Sequence, residues 1–235
     1  MKLTALIACE YSGIVRDAFE NAGWDAWSCD LLPTESEQTA AAGKHFEGDI
    51  LEFLYTRDRA LTNRIPRKFP FTESIDLLIG HPPCTYLSFA YTGERRYEQN
   101  RLLKTVDAIK FFVNLWNAPI EHICLENPCG TIQYILPYSQ IVHPYYFGKE
   151  NGEDYTKRTC LWLKNLPLLQ YSKEDTLFET SNYVKPSRLF YNASNRKSTK
   201  NTVCKSFSSG KERSKFHKGI AKAMAEQWRN NGRSI

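Results

Sequence analysis

Four short apolar runs, each closing on a polar cluster, alternate with segments of helical spacing, and this alternation constrains the fold most strongly. Residues 3–8, 24–29, 74–79 and 122–125 read as strands. Between the first two, residues 13–22 set Ile14, Ala18 and Ala22 at helical spacing, and Gly23 closes the segment. Residues 97–117 do the same with Val106, Ile109, Phe112, Val113 and Trp116, and Pro119 ends them. Residues 142–147 and 159–163 can pair as late strands. Residues 215–229 form a closing helix with Ile220, Met224 and Trp228 on one face. Strands alternating with helices predict an α/β domain with a mainly parallel sheet and helices on both faces. The organisation expected is a main domain over 1–169, a small basic insertion over 170–214, and a C-terminal helix over 215–235 that packs back on the main domain.

With 235 residues the chain can bury a substantial core. No apolar run approaches the roughly 20 residues of a membrane span. The first apolar stretch is too short for a signal peptide and serves better as a strand, so the chain reads as cytoplasmic. The seven cysteines are odd in number and unpaired in spacing, which argues against a disulfide framework. No Cys-x-x-Cys pair supports zinc among Cys124, Cys129, Cys204 and His217, so no metal is expected. Charge is uneven. From Lys185 onward 13 Lys or Arg face two acids, net +11, whereas the preceding residues carry net −6. A basic tail of this kind suits a polyanion, nucleic acid first. Residues 56–74 read as a polar, basic connection.

In open α/β sheets, ligands bind beyond the carboxyl ends of the strands. The first such end is Cys9-Glu10-Tyr11-Ser12-Gly13, where a small residue opening a helix lets a ligand approach the backbone. Asp30, followed by Leu31, lies about 20 residues on, the spacing of a ribose hydroxyl partner. Asp49 and Ile50 follow in a Gly-Asp-Ile context. The fourth end is His81-Pro82-Pro83-Cys84, in which two prolines stiffen the loop that aims the thiol. The fifth is Glu126-Asn127-Pro128. A thiol and a carboxylate at one sheet edge are what chemistry on a pyrimidine ring needs: a nucleophile for a ring carbon and an acid for a ring nitrogen.

Taken together and in order, these motifs resemble the cytosine-5 DNA methyltransferase family over nearly the whole chain. The resemblance implies a Rossmann-like class I S-adenosylmethionine-dependent methyltransferase fold. It implies cofactor contacts at Glu10, Tyr11, Ser12, Gly13, Asp30, Leu31, Asp49, Ile50, His81 and Pro82. It implies that Cys84 attacks C6 of cytosine in DNA, that Glu126 holds N3, and that Arg158, or Lys157 beside it, steadies O2. Pro83, Ser88, Asn127 and Lys157 would then line the substrate pocket, together with Thr85. The ring takes the methyl group at C5, and a base drawn from a duplex must be flipped out. His217-Lys218-Gly219 stand where the family has Gly-Asn, and the first glycine signature is reduced to Gly13.

The family's large target-recognition region has no counterpart of that size here. About 50 residues, rich in Ser, Asn and Lys with Phe178, Tyr183, Phe190 and Tyr191 interspersed, separate the late strands from the last helix. Such a segment can grip phosphates and stack a base. The expectation is a short recognition sequence or an unusual substrate. Three rivals stay open: amino-methylation of adenine or cytosine, the same Cys–Glu chemistry on RNA or a pyrimidine nucleotide, and a cofactor-free nucleic-acid binder retaining the fold.

Overall fold

The computed structural model describes residues 2–55, 75–89, 99–175, 181–186, 188–190, 204–205 and 215–231. The basic connection at 56–74 and most of the insertion, Phe178, Tyr191, Lys197 and Lys200 included, lie outside the described residues.

The main sheet is laid down by β1 (Thr4–Ala8), β2 (Asp25–Asp30), β3 (His45–Glu47), β4 (Leu77–Gly80), β5 (His122–Asn127), β6 (Gln140–Val142) and, after the short β7 (Tyr155–Thr156), β8 (Thr159–Lys164). Their spatial order is β3-β2-β1-β4-β5-β8-β6. The first five run parallel. β8 enters antiparallel between β5 and β6. The strand order reverses beside β1 and β4, the place where an open α/β sheet leaves a crevice for ligands. Central strands buried on both faces read as unbroken apolar runs, which is why residues 3–8 and 74–79 were legible as strands.

Alternate side chains feed two cores. On one face Leu6, Ala8, Leu78 and Leu125 pack with α3 (Ile50–Tyr55) and α4 (Arg101–Trp116). On the other, Ala5, Ile7, Leu77 and Ile79 pack with α1 (Ile14–Asn21) and α5 (Lys218–Asn231). α2 (Glu37–Ala42) caps the loop after β2 through Ser36, whose side chain accepts from the Thr39 amide. This strand order, with a single antiparallel strand inserted next to the edge, is the Rossmann-like methyltransferase fold, as expected. Among the described residues, no helix is long and apolar enough to cross a membrane.

Several elements differ in detail from the sequence reading. α1 turns Val15 and Phe19 to the sheet, while Ile14, Ala18 and Ala22 lie at the border of the core. They line a cleft of about 620 Å³ shared with Ser12, Lys218 and Lys222. The helix is therefore apolar on two flanks, because α5 covers one and the sheet the other. α4 begins at Arg101, and Val106 is exposed along with Leu102 and Leu103, since only its later turns reach the core. The strand expected over 142–147 is Gln140–Val142, and Pro144–Tyr146 form a 3₁₀ turn. Proline cannot donate to a ladder, which ends the pairing there. Within the insertion, β9 (Arg188–Phe190) pairs parallel with β7 and with β10 (Cys204–Lys205), so this region is stitched to the residues just before β8.

Candidate active site

The polar clusters expected at the strand ends gather at one edge of the sheet, because β1, β2, β4 and β5 all point the same way. β8 is antiparallel, so its beginning lies at that same edge, with Cys160 opposite Asn127.

The nucleophile loop leaves β4 under tight control. The His81 amide donates to Ala8 O at 3.0 Å. Asn127 Nδ2 donates to Pro82 O at 2.7 Å, which braces one loop against the other. The amides of Leu87 and Ser88 return to Cys84 O at 3.1 and 2.9 Å, folding the chain into a turn that leaves Cys84 exposed. The turn is then sewn to the loop after β5: Ser88 pairs with Gly130, and the Thr131 amide donates to Leu87 O at 2.7 Å. Gly130 is required for this approach, because a Cβ there would sit 2.0 Å from Leu87 O.

Glu126 projects beside this loop with Oε2 at 3.3 Å from His81 Nδ1. Crowding by protein and then the Glu126 charge push the Cys84 thiol up, and the Lys157 ammonium pulls it down. Lys157 is itself lowered by burial, against the attraction of Glu126, Cys84 and Glu153. A thiol, a carboxylate and an ammonium thus act on one another at the sheet edge. This is an arrangement for adding a nucleophile to an electron-poor ring while charge develops on ring heteroatoms.

Of the two adjacent cations, Lys157 acts on Cys84, while Arg158 is exposed and acts on His143 and Cys160. Cys160 lies with its Sγ 3.0 Å from that of Cys129. Asn127, expected in the substrate pocket, is spent on the brace to Pro82, though its Oδ1 is buried without a protein partner.

The expected cofactor side lies at β1, β2 and β3. Cys9 leaves β1 with φ of 58°, a left-handed conformation that a non-glycine residue adopts at a cost. Its thiol is pushed up to about 12, by burial and then by the charges of Asp30 and Asp49, so both carboxylates act on this turn. Glu10 is buried, with Oε1 accepting from Ser12 Oγ at 2.6 Å and from the Val15 amide at 3.4 Å. Burial raises its pKa, opposed first by the Ser12 hydroxyl and then by His81. Glu10 therefore occupies the start of α1, which a ligand was expected to approach. The space over Gly13 is filled too: a Cβ there would meet Ser36 Cβ at 2.3 Å, and its φ of 76° also favours glycine. Gly13 thus permits the close approach of Ser36 at the head of α2. Ile50 is likewise a core residue. Asp30 and Asp49 keep partly satisfied carboxylates, each Oδ1 accepting one turn amide at 2.9 and 2.8 Å. Leu31 is 76% exposed beside Asp30. Tyr11 holds the Glu35 amide through its carbonyl.

Two contributors were missed in the sequence. Phe216, just ahead of α5, lies 4.6 Å from the His81 ring between centroids. Glu153 is buried, and its carboxylate accepts from the amides of Lys218 at 3.0 Å and Gly219 at 2.9 Å. That carboxylate caps α5 and so holds Phe216 against the site. Phe216 opens the last helix that the sequence marks out, but no local pattern points its ring to His81, and Glu153 lies in no motif and acts across 66 positions of chain. Among the described residues, no group of His, Cys, Asp or Glu is arranged to hold a metal ion.

No protein-family model and no curated protein matches the sequence. Solved structures similar to it include a DNA modification methyltransferase encoded within an E. coli prophage, at 14% identity and TM-score 0.43, covering 71% of this chain and 49% of that one. Another is the Dnmt2 methyltransferase of S. pombe, at 17% identity and TM-score 0.39, covering 69% of this chain and 50% of that one. The chain thus spans about half the length of these two structures.

Proposed function

We propose that this chain is a methyltransferase that places the methyl group of S-adenosylmethionine on C5 of cytosine in DNA, through a covalent adduct at C6. The observation that carries the reading is the bracing of the Cys84 loop against the Glu126 loop at the carboxyl edge of the sheet, through Asn127 Nδ2 on Pro82 O and His81 Nδ1 beside Glu126 Oε2.

Each residue has a separable role. Cys84, on a turn held at both ends, supplies the thiolate that adds to C6. Glu126 holds a proton at N3 as electron density moves into the ring, and His81 Nδ1 keeps the carboxylate oriented. Of the two cations that the sequence reading left open for O2, Arg158 and Lys157, the role goes to Lys157, whose charge bears on both Cys84 and Glu126. Asn127 positions the nucleophile loop through Pro82.

The residues at the β1–β3 end suit a cationic nucleoside cofactor. Glu10 Oε2 and His81 Nε2 are buried without protein partners, and Asp30 and Asp49 add two carboxylates nearby. Glu10 suits an amino group, Asp30 a ribose hydroxyl pair, and Asp49 an adenine amine. When bound, S-adenosylmethionine supplies an electrophilic methyl group to the activated C5. Loss of the C5 proton then expels the Cys84 thiolate from C6 and restores the ring.

The test is transfer of a labelled methyl group from S-adenosylmethionine to unmethylated duplex or single-stranded DNA, read by nucleoside mass spectrometry. The expected product is 5-methylcytosine, lost in Cys84→Ser with the fold and cofactor binding intact. A methylated adenine, a product methylated on cytosine N4, or undiminished turnover in Cys84→Ser would overturn the covalent mechanism.

A further inference from the structure

The two loops that carry Cys84 and Glu126 do not end at the seam between Ser88 and Gly130. Each continues into an exposed aromatic residue. Phe89 follows Ser88 directly and is 42% exposed, and Tyr134 ends the 3₁₀ turn Thr131–Tyr134 and is 78% exposed. Their ring centroids lie 5.9 Å apart. Ile135, 52% exposed, extends the patch. Large apolar rings left in water side by side mark a surface with a partner, and this one adjoins the proposed nucleophile.

The surroundings are cationic. Tyr86 lies within the Cys84 turn. Over its ring stand the Arg101 guanidinium at 5.9 Å and the Lys104 ammonium at 5.5 Å, both from the start of α4. Thr105 Oγ1 ties α4 to Tyr86 O at 3.4 Å. The rim therefore combines two exposed aromatic rings, tilted 49° to one another, with positive charge, the pairing by which proteins hold unpaired nucleic acid: rings stack on bases and cations follow phosphates. In a duplex, base faces are covered by their neighbours and are not offered to a protein ring.

We propose that Phe89 and Tyr134 form a stacking platform for bases next to the reacting one, so that the strand reaching Cys84 is unpaired, with its phosphates along Arg101 and Lys104. This rests on the cytosine reading above for the identity of the reacting base. The platform also supplies a substrate grip in a chain whose insertion is short.

The experiment uses the full chain and fluorescence anisotropy with a labelled cytosine-containing oligonucleotide, as single-stranded DNA, as RNA of the same sequence, and as DNA duplex. Tighter binding of either single strand than of duplex is expected. Phe89→Leu and Tyr134→Leu, which keep apolar bulk but remove the π face, should each weaken single-strand binding roughly 5- to 150-fold. Phe89→Tyr and Tyr134→Phe should bind as the parent does. Single-strand binding unchanged in the leucine variants, or tighter binding of duplex, would overturn the platform. Cofactor binding by calorimetry and methyl transfer are followed on the same preparations. Stack-dependent binding without transfer would refute the reaction alone, and transfer with leucine-insensitive binding would refute the platform alone.

Discussion

Gly130→Ala is the sharpest probe of how the fold assembles the reactive loops. The position is extended, with φ of −168°, so an alanine backbone meets no conformational penalty there. The cost is purely one of space. The new Cβ would stand 2.0 Å from Leu87 O and 2.7 Å from Leu87 C, where ordinary contact begins near 3.4 Å. Both obstacles are backbone, so the loops must part by more than an ångström. The Thr131-to-Leu87 hydrogen bond of 2.7 Å then breaks, costing about 1 kcal/mol net, with residual strain adding about 1–3 kcal/mol. Displacing the thiol from the carboxylate by such a distance costs about 100-fold in turnover. The assay pairs urea denaturation with methyl transfer. Gly43→Ala is the control, because Gly43 has φ of 61° in open space far from the thiol. It should lose about 1–2 kcal/mol and keep its activity. Equal activity losses in the two variants would refute the reasoning, and so would parental stability and turnover in Gly130→Ala.

Three further outcomes follow from the same geometry. Alkylation of Cys84 by iodoacetamide, mapped by peptide mass spectrometry, should rise with pH through a midpoint above that of an ordinary thiol. Glu126→Gln should move the midpoint down, since a charge opposing the thiolate is gone, and Lys157→Met should move it up; no movement in either would break the proposed electrostatic contact. Glu153→Ala should cost about 1–3 kcal/mol in denaturation by uncapping α5, with Gln restoring part of the loss; a neutral result would remove the capping role. Neutralising Lys197, Lys200 and Lys205 should weaken DNA binding and flatten its dependence on salt, and an unchanged salt slope would move the phosphate contacts elsewhere.

Much of this architecture is legible in the chain because burial on both faces leaves unbroken apolar runs. Residues 3–8, 74–79 and 122–125 had to be interior strands, and their polar endings had to meet at one edge once the strands ran parallel. The faces of α5 were equally plain: Ile220, Met224 and Trp228 are all buried. Local spacing carries that information, since hydrophobic periodicity depends on neighbours within a turn or a strand. Where one residue must be chosen over its neighbour, spacing is silent. Lys157 and Arg158 are adjacent, and only in the folded chain does it emerge that the Lys157 charge bears on the thiol. Nothing near Gly13 in the chain announces that Ser36, 23 residues on, packs over it. β7, β9 and β10 are two or three residues long, too short to show a period, so the small sheet that joins the insertion to the site is invisible in one dimension. Glu153 reaches α5, and Phe89 meets Tyr134, only through contacts between distant parts of the chain. Such contacts depend on where whole elements come to rest, and no local pattern of residues records that.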